Sequence, residues 1–378
     1  MVTIREVKTK NELKSFVRFN YEMYKDNKYA VPELYEDMLD TLNPEKNAAF
    51  DFCEAVLYLA YNDEGTIVGR IAGIINNKAN TTWQCKNVRF GWVDFIDDEE
   101  VSKALFAAVE KWGREKGMEN IQGPLGFTDM DPEGMLIDGY EEMSTQATIY
   151  NYPYYPHHLE RLGFEKDADW IEMVIDVPKQ IPERISRISD IVMKKMGLHV
   201  APRCSTKKFL DKYGMGFFDC VNAAFKPLFG YSALSERQKR DYLDMYSVVL
   251  DSELISIVLD KDDNVVAGGV GMPSLSIALQ KAKGKMLPFG WYYILKGLKW
   301  KHPKVADLML VAVRPEYQGK GVNAVIINDL IPRFIAGGYE KVETNPELEL
   351  NSKVQSQWIY FDREYKKRRR CFKKKISQ

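Results

Sequence analysis

The apolar pattern of this 378-residue chain runs through the same order twice, and that repetition constrains the fold more than any single motif. In the first half an alternating strand over 2–8 precedes a helix from Asn11, where Leu13, Phe16, Val17 and the segment 20–23 recur at helical spacing. Strands over 55–61 and 66–75 follow across the turn Asn62-Asp-Glu-Gly65. A strand over 88–96 enters a helix through Asp97-Asp-Glu-Glu100 and ends near Gly117; a strand at 120–123, a long loop, a short helix at 157–162 and a strand over 170–177 close the half. Past the prolines at 178 and 182 the order returns. Helices lie within 207–250, a strand pair spans 254–259 and 265–272, and an inserted segment covers 273–300. A strand over 307–313, a helix from Gly321 to Ala336, a strand at 341–344, a helix over 352–361 and a basic final strand complete it. The expectation is a duplicated α/β fold, with halves 1–178 and 179–378, each a mixed, mostly antiparallel sheet flanked by helices.

Length supports this, since one core rarely organises so many residues. The 53 Lys+Arg balance 54 Asp+Glu, so net charge implies no nucleic-acid partner. Cys53, Cys85, Cys204, Cys220 and Cys371 are odd in number and form no Cys-x-x-Cys, which suggests neither a disulfide framework nor a zinc site and fits a reducing cytoplasm. No run of about 18 apolar residues and no leader-like start occur, so a soluble, cytoplasmic protein is expected. His157 and His158 are adjacent, and His199 and His302 are isolated, which leaves no metal-ligand spacing. No serine occupies a Gly-x-Ser-x-Gly turn.

The informative segment is the buried-type strand Leu308-Met-Leu-Val-Ala-Val313 followed by Gln318-Gly-Lys-Gly-Val-Asn323, which opens an apolar helix. Glycines before a helix let unpaired N–H groups converge on an anion, with the helix dipole adding positive potential. Phosphates fit such a place: Gly319 and Gly321 permit close main-chain approach, and Lys320 adds charge. Gly319 to Ala324 also spells Gly-x-Gly-x-x-Ala, with Glu340 and Glu343 about twenty residues on, as in a dinucleotide fingerprint. Against that reading, residues 314–317 separate strand from motif, and too little chain follows for a doubly wound sheet.

The segment resembles the signature of the GNAT superfamily of acyl-CoA-dependent N-acyltransferases, Gln/Arg-x-x-Gly-x-Gly/Ala, through Gln318 and Gly321, with Asn323 where the family has Gly or Ala. The ending of the first half, Leu159-Glu-Arg-Leu-Gly-Phe164, is also in the family style. The resemblance implies a tandem GNAT-like fold and acetyl-CoA or another acyl-CoA as co-substrate. The acyl group would pass to a small-molecule amine or peptide by direct attack. It further implies that Gln318, Gly319, Lys320, Gly321, Val322 and Asn323 hold the pyrophosphate while the main chain at Val311 and Val313 binds the pantetheine arm. The family often protonates the leaving sulfur with a tyrosine in Asn-x-x-Ala-x-x-Leu-Tyr. Here Asn351-Ser-Lys-Val-Gln-Ser-Gln-Trp358 places Trp358 there and Tyr360 two residues later, making Tyr360 the candidate acid. Asp307, Glu343 and Glu347 are candidate bases, Glu343 first among them. The alternative is a non-catalytic acyl-CoA-binding or structural protein.

Four further features complete the reading. The first half has Asp97 to Glu100 in place of a phosphate loop, so it is expected to shape the acceptor side or support its partner. Its long 123–134 loop offers Asp129, Asp131 and Glu133 to a cationic amine. The apolar stretch 287–295 is expected in a core, with an acyl pocket or a membrane surface as alternatives. The run 366–375 carries eight cations, a solvated basic end with capacity for weak membrane contact; within it, Cys371 would have its pKa lowered by neighbouring cations.

Overall fold

A computed structural model describes residues 1–301 and 303–376; His302 lies outside the described residues. In chain order the elements are β1 (Thr3–Glu6), α1 (Lys10–Met23), α2 (Tyr35–Thr41), β2 (Cys53–Tyr61), β3 (Ile67–Asn76), α3 (Asn77–Thr82), β4 (Asn87–Phe95), α4 (Glu99–Glu115), β5 (Asn120–Gly123), β6 (Met135–Asp138), α5 (Tyr154–Arg161) and β7 (Glu165–Asp176). There follow α6 (Glu183–Met196), β8 (His199–Val200), α7 (Thr206–Phe225), α8 (Glu236–Tyr246), β9 (Ile255–Leu259), β10 (Val265–Pro273), α9 (Ser276–Ala282) and α10 (Gly290–Leu295). The last elements are β11 (Val305–Val313), α11 (Val322–Ala336), β12 (Lys341–Thr344), β13 (Glu347–Leu348), α12 (Ser352–Gln355) and β14 (Arg363–Lys375). The helix expected over 352–361 is only α12 and a 3-10 turn, Ser356–Trp358, because Trp358 turns inward and its indole N–H donates to Glu347 Oε1 at 2.8 Å.

Two compact units result, neither of them contiguous. One comprises Met1–Ile171, Ser276–Ile294 and the C-terminal stretch from Lys367; the other comprises Glu172–Leu275 and Leu295–Lys366. The strands β1-β2-β3-β4-β5 of the first unit are neighbours in that order, antiparallel except for β4/β5, whose parallel register pairs Asn87 with Asn120 and Arg89 with Gln122. Beside β5 lies the C-terminal part of β14, antiparallel, with Phe372 opposite Gly123. In the second unit β8-β9-β10-β11-β12 repeat the scheme, with β11/β12 the parallel pair and the end of β7 antiparallel to β12, Ile175 opposite Val342. Each parallel pair is spanned by a crossover helix, α4 or α11, as parallel neighbours require. The closing strands are exchanged: the strand that ends the first half completes the second sheet, and the last strand of the chain completes the first. The expected boundary at 178/179 therefore falls inside the second unit.

Each sheet has its own core. Helix α4 buries Val101, Leu105, Phe106 and Val109, at helical spacing, against Phe90, Phe95 and Ile71, while Gly69 and Gly73 of β3 leave room for Leu105 and Val109. Helix α7 buries Phe209, Tyr213, Phe217 and Val221 with Ile257 and Val265 in the second unit. The basic final strand is not the solvated end expected. Lys367 and Arg369 are buried and donate to the carbonyls of Met143 and Ile149, and Arg368 and Arg370 pair with Asp169. Cys371 is fully buried, and burial pushes its thiol well above the usual range, opposite to the lowering expected from neighbouring cations. The stretch 287–295 does not enter a core as a whole: Leu287 is 76% exposed and Phe289 70%.

Candidate active site

The second unit builds its site at the C-terminal end of β11. The β11/β12 ladder stops where Leu308 meets Thr344, since Pro346 follows two residues later and cannot donate to a ladder. Strand β11 nonetheless runs on to Val313 against β10, Val311 opposite Gly269. Asn345 Nδ2 donates to the Met309 carbonyl at 2.9 Å and Gln318 Nε2 to that of Val313 at 3.0 Å. Between these two contacts lies Val311, its side chain half-buried; at Val313, also expected to offer its main chain, the carbonyl is taken by Gln318 and the side chain is buried.

A 3-10 turn, Pro315–Tyr317, leads into the glycines. Gly319 and Gly321 adopt φ of +71° and +83°, which side-chain-bearing residues rarely take. Gly321 is the N-cap of α11 and among the described residues no side chain caps that end, so the Val322 and Asn323 N–H groups are left without a helical partner, while that of Ala324 donates to the Gly321 carbonyl at 3.0 Å. A Cβ on Gly321 would lie 3.2 Å from Ile188 and Val192 of α6, so this glycine also admits a helix; at Gly319 nothing lies within 4 Å. Lys320 is exposed and Val322 buried, which leaves Val322 only its main chain to offer. Asn323 turns aside: its Nδ2 donates to Gln357 Oε1 at 3.1 Å, while Gln357 Nε2 is buried without a hydrogen-bond partner among the described residues. The corresponding helix end of the first unit is occupied, because Asp98 caps α4 by accepting the Glu100 N–H at 2.8 Å and Glu99 and Glu100 follow. There His158 is buried and bridges Ser102 and Asp97 at 2.8 Å each.

Beside α11 runs an apolar pocket whose walls include Ile326, Leu330, Phe334, Val342, Trp358 and Phe361, together with Val311, Asn323 and Gln357. Glu347 lies next to it on β13. Its Oε1 accepts the Trp358 indole N–H, Oε2 has no hydrogen-bond partner among the described residues, and burial raises the carboxyl to about 7 against the pull of Trp358 and Arg363. Glu343 is half-buried within β12, between Asp307 of β11 and Val174 of β7 in register, and Asp307 is fully buried. Tyr360 is 38% exposed, its ring 4.6 Å from the Arg184 guanidinium. The signal that could have singled out Glu347 in advance was its place just after Asn345-Pro346, where a strand must end.

The 123–134 loop belongs to the first unit. Asp131 Oδ2 accepts the Thr128 N–H at 3.0 Å, and burial raises the Asp131 carboxyl to about 6. Burial, then the Asp129 carboxylate, pushes Glu133 well above the usual range despite Arg89 nearby. These acids thus converge, though Asp131 also ties its own loop together.

No protein-family model matches the chain. Over its whole length it aligns with a tandem GNAT protein from the clavulanic acid biosynthesis pathway, at TM-score 0.55 and 10% identity, covering 100% of this chain and 99% of that one. A GCN5-related N-acetyltransferase from Sphaerobacter thermophilus aligns at TM-score 0.51 and 13% identity, covering 100% and 96%. The fold is therefore GNAT, in tandem. By sequence the chain is 27% identical over 380 residues to protein YghO of Escherichia coli, covering 99% of this chain and 95% of that protein. It is also 27% identical over 356 residues to the bacterial ceramide synthase of Caulobacter vibrioides, covering 93% and 91%.

Proposed function

We propose that the chain is an acyltransferase that moves an acyl group from acyl-CoA to an amine by direct attack. The observation that carries this reading is the glycine-opened, side-chain-free N-terminus of α11, placed just beyond a strand edge released from its ladder. The main-chain N–H groups of 319–323 hold the pyrophosphate, and the strand edge from Val311 to the Val313 N–H aligns the pantetheine arm. Glu347, titrating near neutrality, takes one proton from the acceptor's ammonium; the amine nitrogen bonds to the thioester carbon, the C–S bond breaks, Tyr360 protonates the sulfur, and the nitrogen's second proton returns to the tyrosinate. Glu343 is the second candidate base. If Tyr360 fills this role, Tyr360→Phe lowers kcat about tenfold or more with acyl-CoA affinity unchanged. Equal rates remove it from the mechanism.

A ceramide is a long-chain amino alcohol N-acylated by a fatty acid, so the relative of that name suits the reaction. We infer a long-chain acyl donor from that likeness. Free-thiol release from acetyl-CoA and long-chain acyl-CoA, with a panel of amines including long-chain amino alcohols, tests the whole reading. Binding without release under every condition establishes a non-catalytic acyl-CoA binder instead.

Asp129, Asp131 and Glu133, of which Asp131 is largely ionised at neutral pH, are assigned to attracting the acceptor while it is still a cation, before proton transfer. Asp131→Asn retains an oxygen for the Thr128 N–H but removes the charge, so acceptor KM rises about fivefold or more while acyl-CoA KM does not. An unchanged acceptor KM ends this assignment.

A further inference from the structure

The insert between β10 and β11 is not used by the chemistry above. Between Asp263 and Asp307 the chain has no carboxylate side chain and seven lysines. The part that belongs to the first unit, Ser276–Ile294, is pinned at its base: the Tyr35 N–H donates to the Gly284 carbonyl at 2.7 Å, and Gln280 Nε2 donates to the carbonyls of Lys28 and Ala30 at 2.9 Å each. Gly284 takes φ +66°, and a Cβ there would lie 2.4 Å from the Tyr21 ring, so the backbone sits directly on its support. The tip beyond this anchor turns its side chains outward. Met286 is 37% exposed, Leu287 76%, Phe289 70%, Trp291 42% and Tyr292 41%. Lys281, Lys283 and Lys285, all exposed, precede them and have no ion-pair partner among the described residues.

We propose that this tip docks on an anionic lipid bilayer. Single exposed apolar residues are ordinary, but five within seven positions on a fixed tip form a patch. Their composition, two indole or phenol rings with Phe and Leu beside a lysine row, matches elements that bury apolar groups at the headgroup boundary while cations meet lipid phosphates. A second copy of the chain suits the patch poorly. A two-fold contact through the same surface would bring two lysine rows together with no acid in the segment to offset them. The inference is independent of the acyltransferase reading.

Flotation of the full chain with phosphatidylcholine vesicles, with and without phosphatidylglycerol, tests it. The chain is expected to float with the anionic vesicles and to be released by high salt. Replacing Leu287, Phe289 and Trp291 together by Ser lowers the partition coefficient on the order of a hundredfold. Lys281, Lys283 and Lys285 changed together to Gln lower it by about the same factor on anionic vesicles only. Circular dichroism verifies the fold, and Leu287→Ser alone serves if the triple variant does not fold. Failure of the native chain to float, or equal flotation of folded variants, overturns the proposal. A dimer that the serine variant dissociates, without lipid binding, overturns it in favour of self-association.

Discussion

Glu347→Gln is expected to lower kcat by about a hundredfold or more while making the protein more stable above neutral pH. Both effects have one cause. Burial lifts the Glu347 carboxyl from its ordinary 4.5 to about 7, so between those values the folded chain holds a proton that the unfolded chain has lost. The native state binds more protons than the unfolded one in that window, and stability therefore falls as pH rises through it, levelling off above 7. The cost of the ionised carboxylate reaches about 2–3 kcal/mol at pH 8. A Gln retains an oxygen for the Trp358 indole and cannot ionise, so it removes the cost together with the base. The pH profile of kcat, rising through about 7 in the native chain, measures the first effect; urea midpoints at pH 5 and pH 8, compared between the two proteins, measure the second. Unchanged kcat would discard Glu347 as the base and direct the same substitution to Glu343. Undiminished pH dependence of stability would show that another group sets it.

Gly319→Glu is expected to weaken acyl-CoA binding on the order of a hundredfold, because it sets a carboxylate among the N–H groups offered to the pyrophosphate. This position separates binding from folding better than Gly321. At φ +71° any side chain costs about 1 kcal/mol, but nothing within 4 Å collides with it, whereas a side chain on Gly321 also strikes Ile188 and Val192. Isothermal calorimetry on the folded variant gives the answer, and an affinity equal to that of the native chain rules out this loop as the phosphate site. The same titration on the native chain should give one acyl-CoA per chain, since Asp98 and its acidic neighbours already hold the equivalent end of α4.

The parts of this molecule legible in the sequence are those set by local chemistry. Alternation and turns located β9 and β10, glycines located the start of α11, and β12 was read at its observed ends. The acid-rich junction at Asp97 to Glu100 was legible as a helix start hostile to phosphate, and Asp98 is indeed its cap. What escaped depends on pairings between distant segments. Nothing in the periodicity of β7 or β14 says which neighbour each will take, and the cations of β14 read as solvated because Asp169 and the acceptors Met143 O and Ile149 O lie some two hundred positions away. The stretch 287–295 read as core because apolar density looks the same inside a protein and on an exposed tip. Glu347 follows Asn345-Pro346, which marks a strand end, but its raised carboxyl comes from burial, against the pull of the Trp358 indole N–H, and no local pattern shows that burial.

The exchange of closing strands bears on how the protein is made. A ribosome delivers β1 to β5 early, but the strand that covers the edge of β5, with Cys371 and Phe372 fully buried and Ile376 nearly so, is synthesised about 250 residues later. The first unit must wait, its β5 edge open, until almost the entire second unit has emerged. Cutting the gene at the middle would thus give two incomplete sheets instead of two domains, and trimming the last dozen residues would injure the half of the protein made first.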